Sequence, residues 1–265
     1  MNKTELLNKF SRDPEERTVL ARVLDRMERS QSRSIPCATQ FLSPAQRAAA
    51  EPLLAACGHP KHLFFGGYEG AERTVCIFLP AWMEGDELPG GEDDPTGCIE
   101  ATFPEGAGLT HRDLLGGLMG IGLTREKVGD ILVFDGRAQI VALREALPII
   151  LSQFDQAGRY RLRLREIPLR ELTPAPVQVR TVKDTVATLR LDAVLSSGFS
   201  IARGKAADLI DSGRVSVNHR ECTKTDKTVA EGDILTCRGL GKCILKSVGG
   251  QSRKGRIMIE MERYL

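Results

Sequence analysis

The 265-residue sequence is poor in aromatic residues, with one Trp, three Tyr and nine Phe. It contains no apolar run near the roughly 18 residues that a membrane-spanning helix requires. Its first ten residues are polar and lack the apolar core of a signal peptide. These absences exclude an integral helical membrane protein, and we expect a cytoplasmic protein without membrane contacts.

Cysteine and histidine are present but do not form ligand patterns. The seven cysteines are scattered, with no Cys-x-x-Cys pair, and their number is odd. Such usage favours reduced thiols in a cytoplasm over disulfides or structural zinc. The four histidines have no matching acidic or cysteine cluster. We therefore expect neither a metal site nor another cofactor.

One stretch, residues 190–213, organises the chain and reads RLDAVLSSGFSIARGKAADLIDSG. Apolar residues at helical spacing predict two short helices within it. We expect Gly198 to end the first helix and Ser200 to cap the second. A strand, Val215–Val217, and the turn pair Asn218-His219 follow. The stretch is therefore predicted to form a helical hairpin beside a β-sheet.

The cations of this hairpin are placed where no apolar core requires them. Arg190, Arg203 and Lys205 lie near the starts of the two helices, and Arg214 lies just past the second. A guanidinium can bind phosphate oxygens in bidentate fashion. These four residues are therefore candidates for RNA binding, and the alternative is a solvated hairpin with ordinary surface charge.

The hairpin resembles the S4 RNA-binding domain. The matching residues are Arg190-Leu191-Asp192, Leu195, Gly198, Arg203, Ala206, Leu209-Ile210, Gly213, Val215, Val217-Asn218, Gly232-Asp233 and Arg238-Gly239. Two residues depart from the family pattern, Ala202 where Ser is usual and His219 where Gly is usual. The resemblance implies an S4 domain over residues 183–265, a helical hairpin on a small β-sheet that binds RNA.

The remainder of the chain predicts two further regions. Residues 1–61 read as helices, with starts at Asp13-Pro14 and Ser43-Pro44, and residues 173–182 read as a linker. Residues 62–172 read as a mixed domain. Its predicted strands are His62–Tyr68, Thr74–Leu79, Cys98–Phe103, Ile131–Phe134, Gln139–Leu143 and Tyr160–Ile167, and its predicted helices are Leu114–Ile121 and Glu145–Phe154. This order indicates an α+β fold of the ferredoxin or RRM kind.

Four arginines of the last predicted strand alternate with other residues: Arg159, Arg161, Arg163 and Arg165. On a continuous strand they would all lie on one face, where like charges repel. A bound polyanion would relieve that repulsion. We therefore predict RNA contact at this face, with a solvated strand face as the alternative.

Two turns each allow two interpretations. Residues 66–73, GGYEGAER, could cradle a phosphate through backbone amides or form a tight hairpin. The basic tip at 251–256 contains Arg253 and Lys254, which could touch a second phosphate strand or form a solvated turn. The tip lies in the basic part of the chain, because residues 181–265 hold 15 Lys or Arg and 10 Asp or Glu, a net charge of +5, against +2 for the whole chain.

The order of these parts resembles the YlmH family of bacterial and plastid RNA-binding proteins. The similarity is strongest in residues 64–73, 109–136 and 190–239. It implies an RRM-like central domain and binding to ribosomal RNA and tRNA on the large ribosomal subunit. It also implies a part in ribosome-associated quality control of stalled nascent chains, and an older association with cell division. We expect a monomer.

The alternative is an RNA-modifying enzyme that docks through its S4 domain. A pseudouridine synthase needs a catalytic Asp in an Arg-Leu-Asp motif outside that domain, whereas His111-Arg112-Asp113 lacks the Leu and opens a predicted helix. A methyltransferase needs a Gly-rich loop directly after a strand, and the sequence offers none. We therefore predict no catalytic residues and a non-catalytic RNA-binding factor.

Overall fold

The computed structural model describes residues 2–85, 88, 90–91, 93–174 and 178–264. The chain divides into two compact units, residues 1–175 and 176–265. This division falls within the predicted linker at 173–182, of which residues 175–177 lie outside the described residues. No helix in the described ranges is long and apolar enough to cross a membrane.

Three helices open the first unit: α1 Lys3–Phe10, α2 Pro14–Arg33 and α3 Pro44–Ala56. The side chain of Asp13 accepts a hydrogen bond from the backbone N–H of Glu16, and that of Ser43 from Gln46. These contacts satisfy N–H groups that the first helical turn leaves unpaired. Both predicted helix starts are therefore confirmed.

Three short antiparallel strands form a sheet in order β1-β3-β2: β1 Cys37–Ala38, β2 His62–Phe65 and β3 Val75–Phe78. Strands β2 and β3 were expected in the sheet of the central domain, but they lie in a separate sheet, where β3 pairs with β1 on one side and with β2 on the other. Cys76 and Phe78 share a core with Leu20 and Leu53 of the helices. One face of β3 thus packs with the N-terminal helices, while Val75 and Ile77 on its other face share a core with Val141 of the central domain. The predicted domain limits stay a prediction.

A four-stranded antiparallel sheet follows. Its elements and those between them are β4 Thr96–Thr102, α4 His111–Gly120, β5 Val128–Phe134, β6 Arg137–Leu143, α5 Leu147–Gln153, the hairpin β7 Gln156–Ala157 with β8 Tyr160–Arg161, and β9 Arg163–Ile167. The strand order β5-β6-β4-β9 and the β-α-β-β-α-β sequence are those of the ferredoxin-like fold, as predicted. Ile99 and Ile140 of the sheet pack against Leu114 and Ile150 of the helices.

Helix α4 begins with a capping box. The Thr110 hydroxyl accepts a hydrogen bond from the backbone N–H of Asp113, and the Asp113 carboxylate accepts one from the backbone N–H of Thr110. Hydrogen bonds from the Thr110 side chain and backbone lower the pKa of Asp113. Capping therefore accounts for this carboxylate, as the sequence spacing indicates.

In its described residues the second unit contains two helices and a six-stranded antiparallel sheet. Its elements are β10 Val179–Val186, α6 Leu191–Phe199, α7 Arg203–Asp211, β11 Val215–Val217, β12 Arg220–Glu221, β13 Ile234–Cys237, β14 Gly241–Gln251 and β15 Ile257–Tyr264. The strand order is β10-β15-β14-β13-β11-β12. Leu195 and Ile210 pack with Leu235 and Met261 in one core. The predicted helical hairpin on a small sheet is confirmed, and β10 is a strand that sequence reasoning took partly for linker.

The ends of the two helices differ from the prediction. Gly198 lies inside α6, where an added Cβ would come within 2.7 Å of Met261 Cε and 2.9 Å of Cys243 Sγ. The glycine thus permits the helix to approach the sheet. Ser200 ends α6 in the left-handed conformation with φ 55°, and Ala202 precedes α7 without a side-chain cap. The predictions that Gly198 ends α6 and that Ser200 caps α7 are wrong.

A two-residue turn joins β11 and β12. Asn218 and His219 have φ angles of 50° and 62°, as a type I′ hairpin requires. The Asn218 amide donates to Asp233 Oδ1 at 2.7 Å and accepts from the backbone N–H of Ile234 at 2.9 Å. The Asn and the Asp of the S4 pattern therefore stabilise the sheet.

Candidate RNA-binding surface

A three-residue cluster joins the starts of the two helices of the second unit. Arg190 directly precedes α6, and its Nε and Nη2 donate to the Asp192 carboxylate at 3.2 and 3.0 Å. Arg203, the first residue of α7, donates from Nη2 to both oxygens of the same carboxylate at 3.1 and 3.0 Å. We call these three residues the arginine clamp.

Burial differs between the members of the arginine clamp. The Asp192 side chain is 8% exposed, whereas those of Arg190 and Arg203 are 39% and 56% exposed. A guanidinium carries five N–H donors, of which Arg190 uses two and Arg203 one. Each arginine therefore keeps solvent-accessible donors for a further anion, while a buried carboxylate fixes its position.

The charge state of Asp192 follows from two opposing effects. Burial alone would raise its pKa, but the hydrogen bonds from Arg190 and Arg203 outweigh burial, so the pKa lies below the ordinary value. The carboxylate is thus ionised at neutral pH, and the arginine clamp carries a net charge of +1. The sequence match assigned Asp192 to the S4 pattern but did not predict that it holds both arginines. Its position between two predicted RNA-binding cations was the only sequence signal for this role.

The other two predicted cations of the hairpin are not members of the arginine clamp. Lys205 is exposed in the first turn of α7. Arg214 follows α7, and its Nη2 donates to the backbone carbonyl of Arg238 at 2.9 Å. The backbone N–H of Arg238 in turn donates to the Arg214 carbonyl at 2.9 Å. Arg214 is exposed, and it also connects the segment after α7 to the turn after β13.

The basic tip between β14 and β15 is an exposed turn. Arg253 and Lys254 are both exposed. The turn closes through hydrogen bonds from Gly255 N–H to the Ser252 carbonyl at 2.9 Å and from Ser252 N–H to the Arg256 carbonyl at 2.7 Å. This geometry leaves both side chains accessible to a phosphate, and their contact with RNA stays a prediction.

The prediction that four arginines lie on one face of a continuous strand is wrong. Leu162 separates β8 from β9, which belong to different sheets. The Leu162 side chain is buried in the core and its N–H donates to the Asp155 carbonyl at 2.9 Å, which breaks the strand. Arg159 lies over the ring of Tyr160, 5.1 Å from its centroid, in the turn before β8. Arg161, in β8, pairs with the Asp155 carboxylate.

Only Arg163 and Arg165 share a strand face. They pair across the sheet with Thr102 and Glu100 of β4. The Glu100 side chain is 8% exposed and accepts two hydrogen bonds from Arg165, at 3.0 and 2.7 Å, with Arg137 at 3.7 Å on its other side. Arg165 is thus a structural partner of a buried carboxylate, whereas Arg163 is an exposed cation on the same open face.

The GGYEGAER turn is closed by a distant carboxylate. Asp130 accepts hydrogen bonds from the backbone N–H groups of Glu72 and Arg73, at 2.7 and 3.1 Å, and from the Tyr68 hydroxyl at 2.8 Å. Burial, followed by the charge of Arg125, lowers the pKa of Arg73 to about 10. The amides of Glu72 and Arg73 already bind a carboxylate, which favours the tight-turn interpretation over a phosphate cradle.

Three family models match the chain along its length. They are "YlmH, N-terminal" over residues 15–78, "Putative RNA-binding domain in YlmH" over residues 97–171, and "S4 domain" over residues 189–235. The S4 match contains the whole arginine clamp. The match to the putative RNA-binding domain contains the four-stranded sheet except for Thr96, the first residue of β4. The fold and these matches place the chain in the class of S4-domain proteins.

The chain belongs to the YlmH family. The ribosome-associated protein quality control protein P2 of Bacillus subtilis (strain 168) is 35% identical to it over 201 residues, which cover 76% of this chain and 77% of that protein. The structure of the cell division protein ylmH from Streptococcus pneumoniae is 23% identical, with a TM-score of 0.47, and the match covers 61% of this chain and 96% of that one.

Proposed function

We propose that this protein is a non-catalytic factor that binds ribosomal RNA and tRNA on the large ribosomal subunit and acts in quality control of stalled nascent chains. The S4 domain and the ribosome-associated relative support an RNA-binding, ribosome-associated role. The observation that carries the proposal is the arginine clamp, two partly exposed guanidiniums held by one buried carboxylate.

The arginine clamp suits phosphate binding for a physical reason. A flexible arginine loses rotamer freedom when it binds an anion, at a cost of about 0.5–1.5 kcal/mol per side chain. Asp192 has already restricted Arg190 and Arg203, so less freedom remains to be lost. The N-terminus of α7, which Ala202 leaves without a side-chain cap, and the exposed Lys205 add positive potential beside the clamp.

A factor without catalytic residues can act only by stabilising one state of a larger assembly. Its free energy of binding must then differ between states. Ribosomal RNA and tRNA are polyanions that repel each other, and a basic wedge between them lowers that repulsion. We therefore expect preference for large subunits that carry a peptidyl-tRNA over empty large subunits or intact ribosomes.

The test compares these three particles by sedimentation with the full chain at one salt concentration. Arg190→Ala and Arg203→Ala should each weaken binding to the preferred particle and reduce the salt slope by about 0.7–0.9 per lost phosphate contact. An arginine outside the S4 domain provides the control, since Arg112 is exposed on α4 and its change to Ala removes the same charge.

Each part of the proposal has its own contradicting result. Equal affinity for the three particles would leave general RNA binding in place and remove the quality-control role. Unchanged affinity and an unchanged salt slope in both arginine variants would remove the arginine clamp from the RNA-binding surface. Turnover of uridine or of a methyl donor on ribosomal RNA by the purified protein would contradict the non-catalytic role.

A further inference from the structure

Helix α2 presents a row of cations that the S4 domain does not explain. The row consists of Arg22, Arg26, Arg29 and Arg33. Spacings of four, three and four residues place all of them on one helical face, over about 17 Å of helix. Leu20 and Leu24, two of the buried residues of α2, lie on the opposite side. This row is here called the α2 basic face; Arg22, Arg29 and Arg33 are exposed and Arg26 is partly exposed.

Few anionic partners neutralise the α2 basic face. Arg22 donates to the Gln40 side chain at 3.0 Å. Within the part of the chain that the structure describes, no hydrogen bond or ion pair engages the guanidiniums of Arg26, Arg29 and Arg33. A groove of about 390 Å³ runs beside the first three arginines, and among its described lining residues the one carboxylate, that of Asp25, pairs with Lys3. The groove is therefore a place of positive potential.

The single tryptophan of the chain lies at the end of this row. Trp82 is 64% exposed, and its Nε1–H donates to the backbone carbonyl of Ser34 at 3.1 Å. Ser34 directly follows Arg33 and ends α2 in the left-handed conformation. The buried Ser30 hydroxyl donates to the Ile35 carbonyl at 2.8 Å, which fixes the turn. An exposed indole is thus held in place beside the last arginine.

The bonded Nε1–H limits what Trp82 can offer a ligand. An indole has one hydrogen-bond donor, and Ser34 already accepts from it, so only the ring surface remains. Stacking of nucleobases on aromatic rings, next to cations that follow the phosphates, is how proteins bind single-stranded nucleic acid. A protein partner would require a contiguous apolar patch of a few hundred Å², whereas the exposed large apolar side chains of this turn are two, Trp82 at 64% and Ile35 at 39%.

We propose that the α2 basic face and Trp82 form a second RNA-binding site, which takes a single-stranded segment. Its phosphates lie along Arg26, Arg29 and Arg33, and one base stacks on Trp82. This site extends the proposed RNA-binding function into the first unit, but its residues are separate from the arginine clamp. An experiment can therefore contradict RNA binding at one of the two sites and leave RNA binding at the other in place.

Tryptophan fluorescence tests the site directly, because Trp82 is the only tryptophan of the chain and every change in tryptophan emission comes from it. The full chain is titrated with a 12-nucleotide oligouridine, and we expect saturable quenching. Arg26→Gln/Arg29→Gln should weaken this binding and reduce the salt slope by about 1.4, at about 0.7 per phosphate of a single strand. The matched control, Arg112→Gln/Arg170→Gln, removes two exposed arginines elsewhere in the first unit and should bind as the wild type does.

A labelled oligouridine measures affinity when Trp82 is changed. Trp82→Ala should bind about tenfold more weakly, since it removes the ring on which a base stacks, whereas Trp82→Phe should retain most of the affinity. Arg190→Ala/Arg203→Ala should still show the quenching, which separates this site from the S4 domain.

Three results would overturn the proposal. The first is the absence of quenching by oligouridine at low salt. The second is equal weakening in the α2 variant and in the matched control, which would indicate attraction to net charge alone. The third is quenching by polyglutamate but not by oligouridine, which would assign the surface to an acidic protein partner.

Discussion

The change Asp192→Asn separates the two ways in which the arginine clamp could favour RNA. It removes one negative charge from the S4 domain, so attraction by net charge alone would strengthen RNA binding. It also removes the anion that holds Arg190 and Arg203, with which Asp192 makes four contacts of 3.0–3.2 Å. If fixed guanidinium positions matter more than net charge, RNA binding weakens.

The cost in stability can be worked from these contacts. Hydrogen bonds to a charged group contribute about 1.5–3 kcal/mol each when buried, but water replaces part of this at the partly exposed arginines. Asparagine also keeps one acceptor and avoids the burial cost of a carboxylate. We expect the free energy of unfolding of the second unit to fall by about 1–2 kcal/mol, or about 5–15 °C in Tm.

The effect on RNA affinity follows from side-chain freedom. Two arginines released from Asp192 must lose their rotamer freedom on binding, at about 0.5–1.5 kcal/mol each, which the added positive charge partly offsets. We therefore expect the affinity for large subunits to fall about five- to tenfold. Asp208→Asn is the matched control, because it removes one negative charge from an exposed position of α7. In the described part of the structure, the Asp208 side chain contacts no arginine.

Binding is measured by sedimentation with ribosomal particles, and stability by hydrogen exchange of α6 and α7 in the full chain. Trp82 lies in the first unit, so its fluorescence reports whether that unit is unaffected. Affinity that rises in Asp192→Asn as it does in Asp208→Asn would refute the reasoning, because net charge alone would then account for binding.

Three further predictions concern Asp192, two arginines of the central sheet and the packing of α6. The stabilisation by Asp192 is fully present above the ordinary carboxyl pKa of about 3.9 and is lost as pH falls through its lower folded-state pKa; the stability difference between wild type and Asp192→Asn, measured by urea unfolding, should therefore shrink toward pH 2. Arg163→Gln should weaken RNA binding without loss of stability. Arg165→Gln should also destabilise the central sheet, because the buried Glu100 then keeps only the more distant Arg137, and thermal unfolding of both variants would show this difference. Gly198→Ala should destabilise the second unit by about 1–3 kcal/mol through overpacking, and unchanged hydrogen exchange in α6 would contradict this.

Local sequence patterns determined much of the fold. Asp13 and Ser43 cap their helices because the N–H groups they bind lie three residues ahead in the chain. Apolar spacing alone predicted the two helices of the S4 hairpin, and Asn218-His219 predicted a tight turn. The match to the S4 pattern also placed both clamp arginines at helix starts. These features depend on contacts within a few residues, which a sequence displays directly.

Contacts between distant residues were decided only by the tertiary structure. Asp192 meets Arg203 across eleven residues, and Asp130 closes the turn at Glu72 across fifty-eight. Leu162 breaks the arginine strand because the core it fills comes from other elements. No local pattern encodes such distances, since packing of whole helices and strands brings these residues together. The sequence thus supplied the cations, and the fold determined which of them carboxylates hold and which stay open to a ligand.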